Sequence, residues 1–421
     1  MEVVALKRSP LFVALFTVFV DLIGFGVIIP FLPFYASSVG GGAAILGLII
    51  AAFFAMQFLF SPILGRLSDR VGRRPVILGT LVLATAGHLT LSVAGSSFFL
   101  LLAARVLAGI ASGNLSVAQA YIADRTRPEE RARGMGLIGA AFGVGFAIGP
   151  VIGGVVEPFG LAAPALAAAT LAATNFGLAV LFLPESLAPE MRKGRRTNLG
   201  KTVGRRAIRD PLVSFFVEFG EIARRPAIRA LLIAFFIVSF AFSTVPVAFP
   251  SLGIVSLGLG RQQLVLIFIY IGVINIIVGS AAGRLARRTG EERFVAFGTF
   301  LIMAGLASIP LVTHWTTYVL LTGVVSTGVA IAFPLIPSLV SKRTLPQEQG
   351  TVLGVTQSFG SLARVPGPLV AGYMFDQVGP ASPFLLGASL MAIGFVMTLL
   401  VYRESRDAAA AGPTLRASSG K

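Results

Sequence analysis

Apolar runs of about 20 residues recur between short polar breaks along almost the whole chain, and this feature limits the possible folds most. A helix needs about 20 consecutive apolar residues to cross a hydrocarbon core about 30 Å thick. The chain has twelve such runs, and strand-like alternation of polar and apolar residues is absent, which argues against a membrane β-barrel. Because 55% of the 421 residues are hydrophobic and only 12% are charged, the composition is not that of a soluble domain.

The sequence therefore predicts an all-α integral membrane protein with 12 transmembrane helices. Both termini then lie on the same side of the membrane, because the number of crossings is even. The predicted helices span residues 10–34, 43–65, 75–94, 97–123, 134–157, 163–183, 229–252, 264–286, 295–313, 316–340, 350–375 and 382–402.

Basic residues indicate the orientation. The formal net charge is +16, and with both termini inside, all but three of the 34 lysines and arginines fall on the cytoplasmic side. Arg261 alone falls outside, whereas Arg105 and Arg364 lie within helices. This asymmetry follows the positive-inside rule and predicts a multi-pass protein of the cytoplasmic (inner) membrane with cytoplasmic N and C termini. The basic charge is expected to face anionic lipid headgroups of the bilayer, so no nucleic-acid partner is predicted.

The sequence lacks the residues that several other classes of protein need. It has no cysteine, and its two histidines, His88 and His314, lie in different segments, so neither a metal site nor another cofactor is expected. Walker-type glycine loops and HExxH or GxSxG motifs are absent, which argues against an enzyme and against an ATP-driven pump. The first apolar run is too long for a secretory signal and has no cleavage motif.

The chain divides into two halves around one long polar stretch, residues 184–228. Residues 1–183 and 229–402 each hold six apolar runs and are predicted to form two six-helix bundles, followed by a cytoplasmic tail at 403–421. The stretch between them is predicted to be a cytoplasmic linker. Within it, residues 210–225 mix apolar and charged positions at helical spacing, which is typical of either a helix on the membrane surface or a solvated loop.

An internal repeat supports this organisation. The segment "GRLSDRVGRR" at 65–74 returns as "GRLARRTGEE" at 283–292, and "GPVIGG" at 149–154 returns as "GPLVAG" at 367–372. Both repeats have the same offset of 218 positions, and both fall at corresponding places in the two halves. Parallel repeats of six helices are a transporter architecture, in which the substrate binds between the halves near the membrane midplane.

Several of these segments together resemble the motifs of the major facilitator superfamily over essentially the whole chain. "GRLSDRVGRRP" resembles the family's loop between the second and third helices, "RVLAGIASGN" its fourth-helix arginine motif, and "GFAIGPVIGG" the fifth-helix motif of drug/proton antiporters. "DLIGFGVIIPFLPFY" and "AYIADRTRPEERARGMG" resemble the corresponding stretches of twelve-helix tetracycline and multidrug efflux pumps. The chain departs from these patterns at Ala108, where the arginine motif often has glutamine, and at His88, near which tetracycline exporters carry an acidic residue.

The resemblance implies roles for two sets of residues. The fifth-helix segment is implied to pack against a helix of the other half and to limit proton leak, and it contains Gly145, Gly149, Pro150, Gly153 and Gly154. The loops after the second helix of each half are implied to gate the cytoplasmic side, through Gly65, Asp69, Arg70, Gly72 and Arg73 and, in the second copy, Gly283, Arg287 and Gly290. Asp69 is expected to contact the start of the eleventh helix only when the cytoplasmic side is shut. In the second copy Arg287 has the wrong sign for this contact, and Glu291 and Glu292 are expected to supply the ion pairs.

Asp21 is the only acidic residue predicted to lie deep within a helix. An ionised group in a membrane costs about 3 kcal/mol, so such residues are usually functional. Asp21 lies roughly 16 Å from the cytoplasmic end of its helix and Arg105 roughly 12 Å from the outer end of the fourth, which predicts similar depths. The leading hypothesis is that Asp21 alternates between pairing with Arg105 and carrying the coupling proton. The alternative is a permanent ion pair that holds the helices together.

Other polar residues in the predicted helices are candidates for a substrate cavity. Arg364 either contacts substrate or bonds backbone carbonyls freed around Pro366 and Pro368. Because Arg105 and Arg364 outnumber Asp21, we expect neutral, zwitterionic or anionic cargo rather than multivalent cations. The predicted substrate-binding residues are amides and phenylalanines within helices, together with Arg364, namely Phe25, Gln57, Asn114, Phe142, Phe240, Asn275, Phe333 and Gln357.

The motifs and charges together predict a proton-coupled multidrug efflux antiporter of the kind that confers antibiotic resistance. It is expected to be a monomer that exports small lipophilic compounds by alternating access, and to draw its energy from the proton gradient rather than from a cofactor. The alternative is another carrier of the same superfamily, either a proton-coupled symporter of sugars or other metabolites or a lipid exporter. The fifth-helix motif and the single buried aspartate favour exchange of a proton for cargo.

Overall fold

The computed structural model describes residues 10–125, 131–187, 220, 224–344 and 349–410, and within them the chain is helical apart from short turns, with no β-strand. Twelve helical passes occur in this part of the chain, each at one of the predicted places. Ten of the helices are long and apolar enough to cross a membrane by length and composition. Helix is the expected form because a bilayer offers no hydrogen-bond partners, and a helix satisfies its backbone groups internally.

Nine passes are single helices and three are divided into two parts. The helices of the first half are α1a (Pro10–Ile28), α1b (Leu32–Ser38), α2 (Ala43–Val71), α3 (Arg73–Ser92), α4a (Phe98–Ser112), α4b (Asn114–Arg125), α5 (Arg131–Val156) and α6 (Ala162–Phe182). Those of the second half are α7 (Pro226–Leu257), α8 (Arg261–Thr289), α9 (Glu291–Ser308), α10 (Trp315–Lys342), α11a (Gln349–Ala363), α11b (Pro366–Gln377) and α12 (Ser382–Ala410).

The divided passes break at proline or glycine. A 3₁₀ turn containing Pro30 separates α1a from α1b, and Pro366 begins α11b, because proline lacks the N–H that would continue the hydrogen-bond ladder. Gly113 separates α4a from α4b. These breaks lie inside the predicted apolar runs, and two of them leave polar residues beside the break, Asn114 and Arg364.

The second helix of each half is longer than its apolar run. The predicted ends were residues 65 and 286, but α2 continues to Val71 and α8 to Thr289. An apolar run marks only the part of a helix that lies in hydrocarbon, and arginine is a good helix former beyond it. Each helix then ends at a glycine, Gly72 with φ of 109° and Gly290 with φ of 90°, a region that favours glycine. These glycines differ by the same 218 positions as the sequence repeat.

The fifth-helix glycines pack mainly against α1a of their own half. A Cβ on Gly149 would clash with the backbone of Gly26, and Gly145 and Gly153 meet α1a in the same way, one turn to either side. Small residues at spacings of four permit this close approach. Of the motif's glycines, Gly154 contacts the other half, against Val265 of α8. The segment therefore packs on two sides, since its glycine stripe lies against α1a, while Ala147 and Gly154 lie against Gly272 and Val265 of α8 in the other half.

Parts of the predicted linker and tail lie outside the described residues. These are 188–219 and 221–223, which include most of the candidate surface segment 210–225, and 411–421. The first residues of the predicted tail, 403–410, continue α12 as helix.

Candidate functional site

Asp21 lies where three helices of the first half meet. Its carboxylate on α1a accepts hydrogen bonds from two buried amides, Asn114 Nδ2 of α4b at 3.1 Å and Asn175 Nδ2 of α6 at 3.4 Å. Asn175 also donates to the carbonyl of Thr17, one turn before Asp21, at 3.0 Å. Asp21 is half-buried, and in the described chain no other carboxylate lies in the middle of a membrane-spanning helix. The site therefore presents one carboxylate held by neutral donors.

The predicted ion pair between Asp21 and Arg105 is not formed in this structure. Arg105 makes no ion pair with any described carboxylate, and its guanidinium lies over the ring of Phe53, 4.8 Å from the centroid. Asp21 is level with Asn114 instead, nine residues or roughly 13 Å along the fourth pass from Arg105. The predicted depths assumed helices as short as the hydrocarbon core, and the longer helices of the bundle place the two charges at different levels.

His88 of α3 lies against α1a near this site. It is 8% exposed, and its Nε2 lies 3.5 Å from the position that a Cβ on Gly24 would occupy, one turn along α1a from Asp21.

The sequence did not single out Asn175 as a site residue. It could have been predicted, because a lone asparagine in an otherwise apolar helix needs a polar partner.

Two guanidiniums stack on neighbouring phenylalanine rings at the boundary between the halves. Arg364 lies 5.8 Å from the ring centroid of Phe54, and the Phe53 ring under Arg105 is 5.4 Å from that of Phe54. A ring contact of this kind contributes about 0.5–2 kcal/mol. Burying a charge costs several kcal/mol even after relaxation. The rings therefore offset only part of the cost of keeping two positive charges in the bundle.

The structure shows Arg364 bonding the backbone at the helix break, and its contact with substrate stays a prediction. Its Nε donates to the carbonyl of Gly360 at 3.4 Å, which is free because the backbone N–H of Arg364 bonds Ser361 at the break of the eleventh pass. Its Nη2 donates to Ser361 Oγ at 2.9 Å. The guanidinium nevertheless reaches across the boundary to Phe54 of α2. The Arg364 side chain therefore bonds the backbone at the helix break and also contacts the other half.

The other predicted cavity residues lie in several separate places. Phe25 stacks on Phe53, with ring centroids 5.0 Å apart, and so joins the aromatic cluster beside Arg105. Gln57 is half-buried and Gln357 is exposed. The amide of Asn275 donates to its own helix, at Ile271 O, 2.8 Å away, and so uses this donor inside α8.

Two phenylalanines predicted for the cavity pack in the second half. Phe333 lies against Phe235 and Phe242 of α7, with centroids 5.4 and 5.5 Å apart, and Phe240 is 9% exposed. The side chain of Phe142 lies outside the described part of the structure. The structure thus brings Phe25 and Arg364 to one aromatic cluster and Asn114 to Asp21.

The end of the bundle opposite the α2–α3 turn, termed the far end, is closed by contacts between the halves. Asp376 lies near the end of α11b, after the glycine motif of that helix. Its carboxylate accepts hydrogen bonds from the first backbone amides of α2, Ala43 N at 3.1 Å and Ala44 N at 2.7 Å. Beside it, a Cβ on Gly47 would clash with the carbonyl of Pro368. A carboxylate at a helix N-terminus is favoured by the unpaired amides and by the helix dipole.

A second contact closes the far end on the other side of the bundle. Glu157, just after α5, pairs with Arg261 at the start of α8 at 3.3 Å, and Arg261 lies over the ring of Phe34. Both acids, Glu157 and Asp376, follow the repeated glycine segment by three to four residues, and each meets the first residues of the other half's second helix. These two contacts together are the far-end gate. Neither contact was predicted from the sequence, although the shared position of the two acids after the repeat was a usable signal.

The opposite end, termed the basic end because it carries the α2–α3 and α8–α9 turns, lacks such close approach among the described residues. A Cβ at Gly279, Gly283 or Gly354 would meet no described atom within 4 Å, and one at Gly65 would meet only Ser116 of its own half. The contacts that join the halves at the far end thus have no counterpart at these four glycines in the described structure.

Arg73 is the centre of the predicted gate loop. It is 3% exposed and pairs with Asp69 at 2.8 Å and with Asp124 at the end of α4b at 3.1 Å. Its Nη1 also donates to Ser68 Oγ at 2.6 Å, whereas Arg70 is exposed. Asp69 therefore forms its ion pair within the first half in this state.

The second copy of the loop uses different ion pairs, as the sequence predicted. Glu291 at the start of α9 pairs with Lys342 at 2.8 Å, and Glu292 lies 3.8 Å from Arg343. The side chain of Arg287 lies outside the described part of the structure. The two copies thus share a backbone turn and differ in their charges.

Glu185 caps the first turn of α3, although it follows α6 in the chain. Its carboxylate accepts from the backbone N–H groups of Arg73 at 2.9 Å and Arg74 at 3.2 Å, and from those of Ser186 and Leu187. These are amides that a helix start leaves without an internal partner. Glu185 therefore joins the third and sixth passes at the basic end.

We expect Glu185→Ala to lower the free energy of unfolding by about 1–2 kcal/mol, because the cap of α3 is lost. Denaturant titration in detergent measures this change. Glu404→Ala is the matched control, since Glu404 is 63% exposed and lies 3.9 Å from its arginine partner. Equal stability of the two variants would refute the capping role.

Comparisons with known proteins agree on one family. The family model described as Major Facilitator Superfamily matches residues 14–368. The chain is 32% identical to the class C tetracycline resistance protein of Escherichia coli over 369 residues, which cover 86% of this chain and 89% of that protein. It is 27% identical to multidrug resistance protein 2 of Bacillus subtilis (strain 168) over 409 residues, or 96% and 98% of the two chains. The crystal structure of the human organic anion transporter MFSD10 (TETRAN) matches with a TM-score of 0.70 at 27% identity, covering 93% and 99%.

Proposed function

The chain belongs to the Major Facilitator Superfamily, and on that premise we propose that it exports small lipophilic compounds in exchange for protons by alternating access. It is a membrane transporter and not an enzyme. The names of two relatives, tetracycline resistance protein and multidrug resistance protein, support drug export. The name of the third, organic anion transporter, supports a narrower class of cargo.

The observation that carries the proposal is the placement of Asp21. A proton carrier must be stable both with and without its proton. The ionised carboxylate accepts from Asn114 and Asn175, and the Oδ1 atoms of both amides are buried without a partner in the described structure. Turning either amide would present that oxygen to a protonated Asp21, which becomes a donor. The site can therefore hydrogen-bond both protonation states, as proton exchange requires.

The orientation in this proposal follows from charge. The turns at the basic end carry arginines, and the positive-inside rule assigns such loops to the cytoplasm. On this orientation we propose a monomer in the cytoplasmic membrane that is open to the inside, with both termini inside. Its partners are the lipophilic compound, protons and the bilayer, and the proton gradient replaces a cofactor.

Everted membrane vesicles with an acid lumen test the exchange. Because an antiporter carries compound into the lumen as protons leave, adding a transported compound should discharge the pH gradient, which a pH-sensitive dye reports. A panel of lipophilic antibiotics and dyes supplies the compounds, and vesicles without the protein are the control. Compound uptake that needs an alkaline lumen would favour a symporter, and lipid movement alone would favour a lipid exporter.

Asp69→Asn tests the gate loop at the basic end. We expect the variant to keep the basic end open longer, because the neutral side chain loses the helix-dipole contact proposed for the shut state, worth about 0.3–1 kcal/mol. Since the chain has no native cysteine, a single Gly354→Cys reports accessibility through its maleimide labelling rate from the cytoplasmic side. The rate should rise up to about fivefold. An unchanged rate would argue against the contact.

A further inference from the structure

We propose that Arg105 and Arg364, together with the rings of Phe53 and Phe54, bind the anionic group of an aromatic cargo between the two halves of the bundle. The expected ligand class is a lipophilic carboxylate. This inference deepens the proposed transport function by naming the cargo class, and it rests on that function only for the statement that the ligand is cargo.

The geometry joins the two halves at this site. Phe53 and Phe54 are consecutive residues of α2, and each carries one guanidinium over its ring, Arg105 of α4a at 4.8 Å and Arg364 of the eleventh pass at 5.8 Å. Arg105 belongs to the same half as α2, whereas Arg364 belongs to the other half. A ligand that contacts both guanidiniums therefore contacts both halves, as cargo in an alternating-access carrier must.

The charges at this site have no counter-ion in the described structure. No described carboxylate lies within 4.0 Å of either guanidinium. Arg105 is 2% exposed, and its Nε has no hydrogen-bond partner among the described atoms. The one carboxylate in the middle of the bundle, Asp21, is held by two asparagines at another level of the fourth pass. A buried cation that keeps an unused donor is suited to an anion that arrives from outside the chain.

The side chains around the two arginines favour an aromatic group as the uncharged part of the ligand. Phe25 stacks on Phe53 and lies 5.7 Å from Phe146, so the two arginines border a cluster of four aromatic rings. Planar guanidiniums bind carboxylates through two parallel hydrogen bonds, and aromatic rings stack on one another at these distances. Arg364 is half-buried at the boundary between the halves, whereas Arg105 is 2% exposed, so Arg364 would meet the ligand first.

Binding of a matched pair of probes tests this site without any gradient. We would measure 1-naphthoate and its neutral analogue 1-naphthamide by equilibrium dialysis against the full-length protein in uncharged detergent. The wild type should bind the carboxylate at least about tenfold more tightly than the amide, because its hydrogen bonds are charge-assisted. Arg364→Gln should remove this preference, whereas Arg364→Lys should keep part of it.

Further variants control for folding and for general charge. Arg229→Gln removes an exposed arginine at the start of α7 and should leave the preference unchanged. Arg105→Lys keeps a buried positive charge, so a reduced but measurable preference is expected, and thermal unfolding checks that each variant is folded. Equal binding of both probes by the wild type, no saturable binding of naphthoate, or an unchanged preference in a folded Arg364→Gln protein would each overturn the proposal.

The outcome is separable from that of the proposed export. A naphthoate preference with no compound-driven proton release in vesicles would leave the anion site standing and refute proton exchange. Proton release with neutral compounds, together with no preference for naphthoate, would support export and refute this site.

Discussion

Asp21→Asn is expected to abolish proton-driven accumulation of cargo while leaving cargo exchange intact. Asparagine is nearly isosteric with aspartate and can keep a hydrogen bond to Asn114 or Asn175, but it cannot carry a proton. A gradient of one pH unit is worth about 1.4 kcal/mol, which sustains about a tenfold accumulation of a neutral compound for each proton exchanged. In the variant this ratio should fall to one.

Proteoliposomes loaded with a compound identified in the vesicle assay measure both activities. Accumulation is followed with a pH gradient, and counterflow of labelled against unlabelled compound is followed without one. Asp21→Glu is the matched control, because it keeps a titratable carboxylate at the same position and should retain part of the accumulation. Gradient-driven accumulation by a folded Asp21→Asn protein would exclude Asp21 as the coupling site.

Asp376→Ala is expected to open the far end of the bundle. The substitution removes both hydrogen bonds to the first amides of α2, and loss of a helix cap costs about 1–2 kcal/mol. Because these bonds connect the two halves, their loss destabilises the closed far end relative to the open one. The ratio of open to closed molecules should rise by about 5- to 30-fold.

A cysteine at position 51 reports this change. Ala51 is 3% exposed and lies on the stripe of α2 that includes Gly47 and Phe54, both of which contact the eleventh pass. An impermeant maleimide applied to intact cells should label Ala51→Cys slowly and the double variant with Asp376→Ala faster by the same factor. Asp376→Asn separates the two contributions, since asparagine still accepts a cap hydrogen bond but lacks the charge, so its labelling rate should be intermediate. Equal rates in all three proteins would show that Asp376 does not hold the far end closed.

The fold was predictable because it depends on local composition. Each pass of the bundle corresponds to an apolar run, and the matching turns at Gly72 and Gly290 confirm the twofold repeat at the level of backbone conformation. Prediction was weakest at helix ends. The charged ends of α2 and α8 extend the helices beyond their apolar runs, and the assumption of short helices placed Asp21 and Arg105 at similar depths, whereas in this structure Asp21 bonds Asn114.

The sites were predictable only in part, because a sequence shows which residues need partners and not which partners they find. Asp21 and Arg364 stood out as charges in apolar helices, and the structure places Asp21 beside two asparagines and Arg364 at the aromatic cluster. Asp376 contacts amides 333 positions earlier in the chain, and Glu185 caps a helix that begins 112 positions before it. Such contacts leave no local pattern, since their acceptors are carboxylates and their donors are backbone groups that every residue has.

The sequence by itself determined that this chain is a twelve-helix membrane protein built from two related halves, with one carboxylate and two guanidiniums placed inside the bundle. The free energy of burying a segment in a bilayer is a sum over its own residues, so it can be judged from the sequence of that segment. Only the tertiary structure decided that Asp21 bonds two asparagines, that the two arginines stack on one phenylalanine pair, and that the far end is the closed one. Those results depend on hydrogen bonds and ring contacts of a few ångströms, and these distances are set by how helices of both halves pack together.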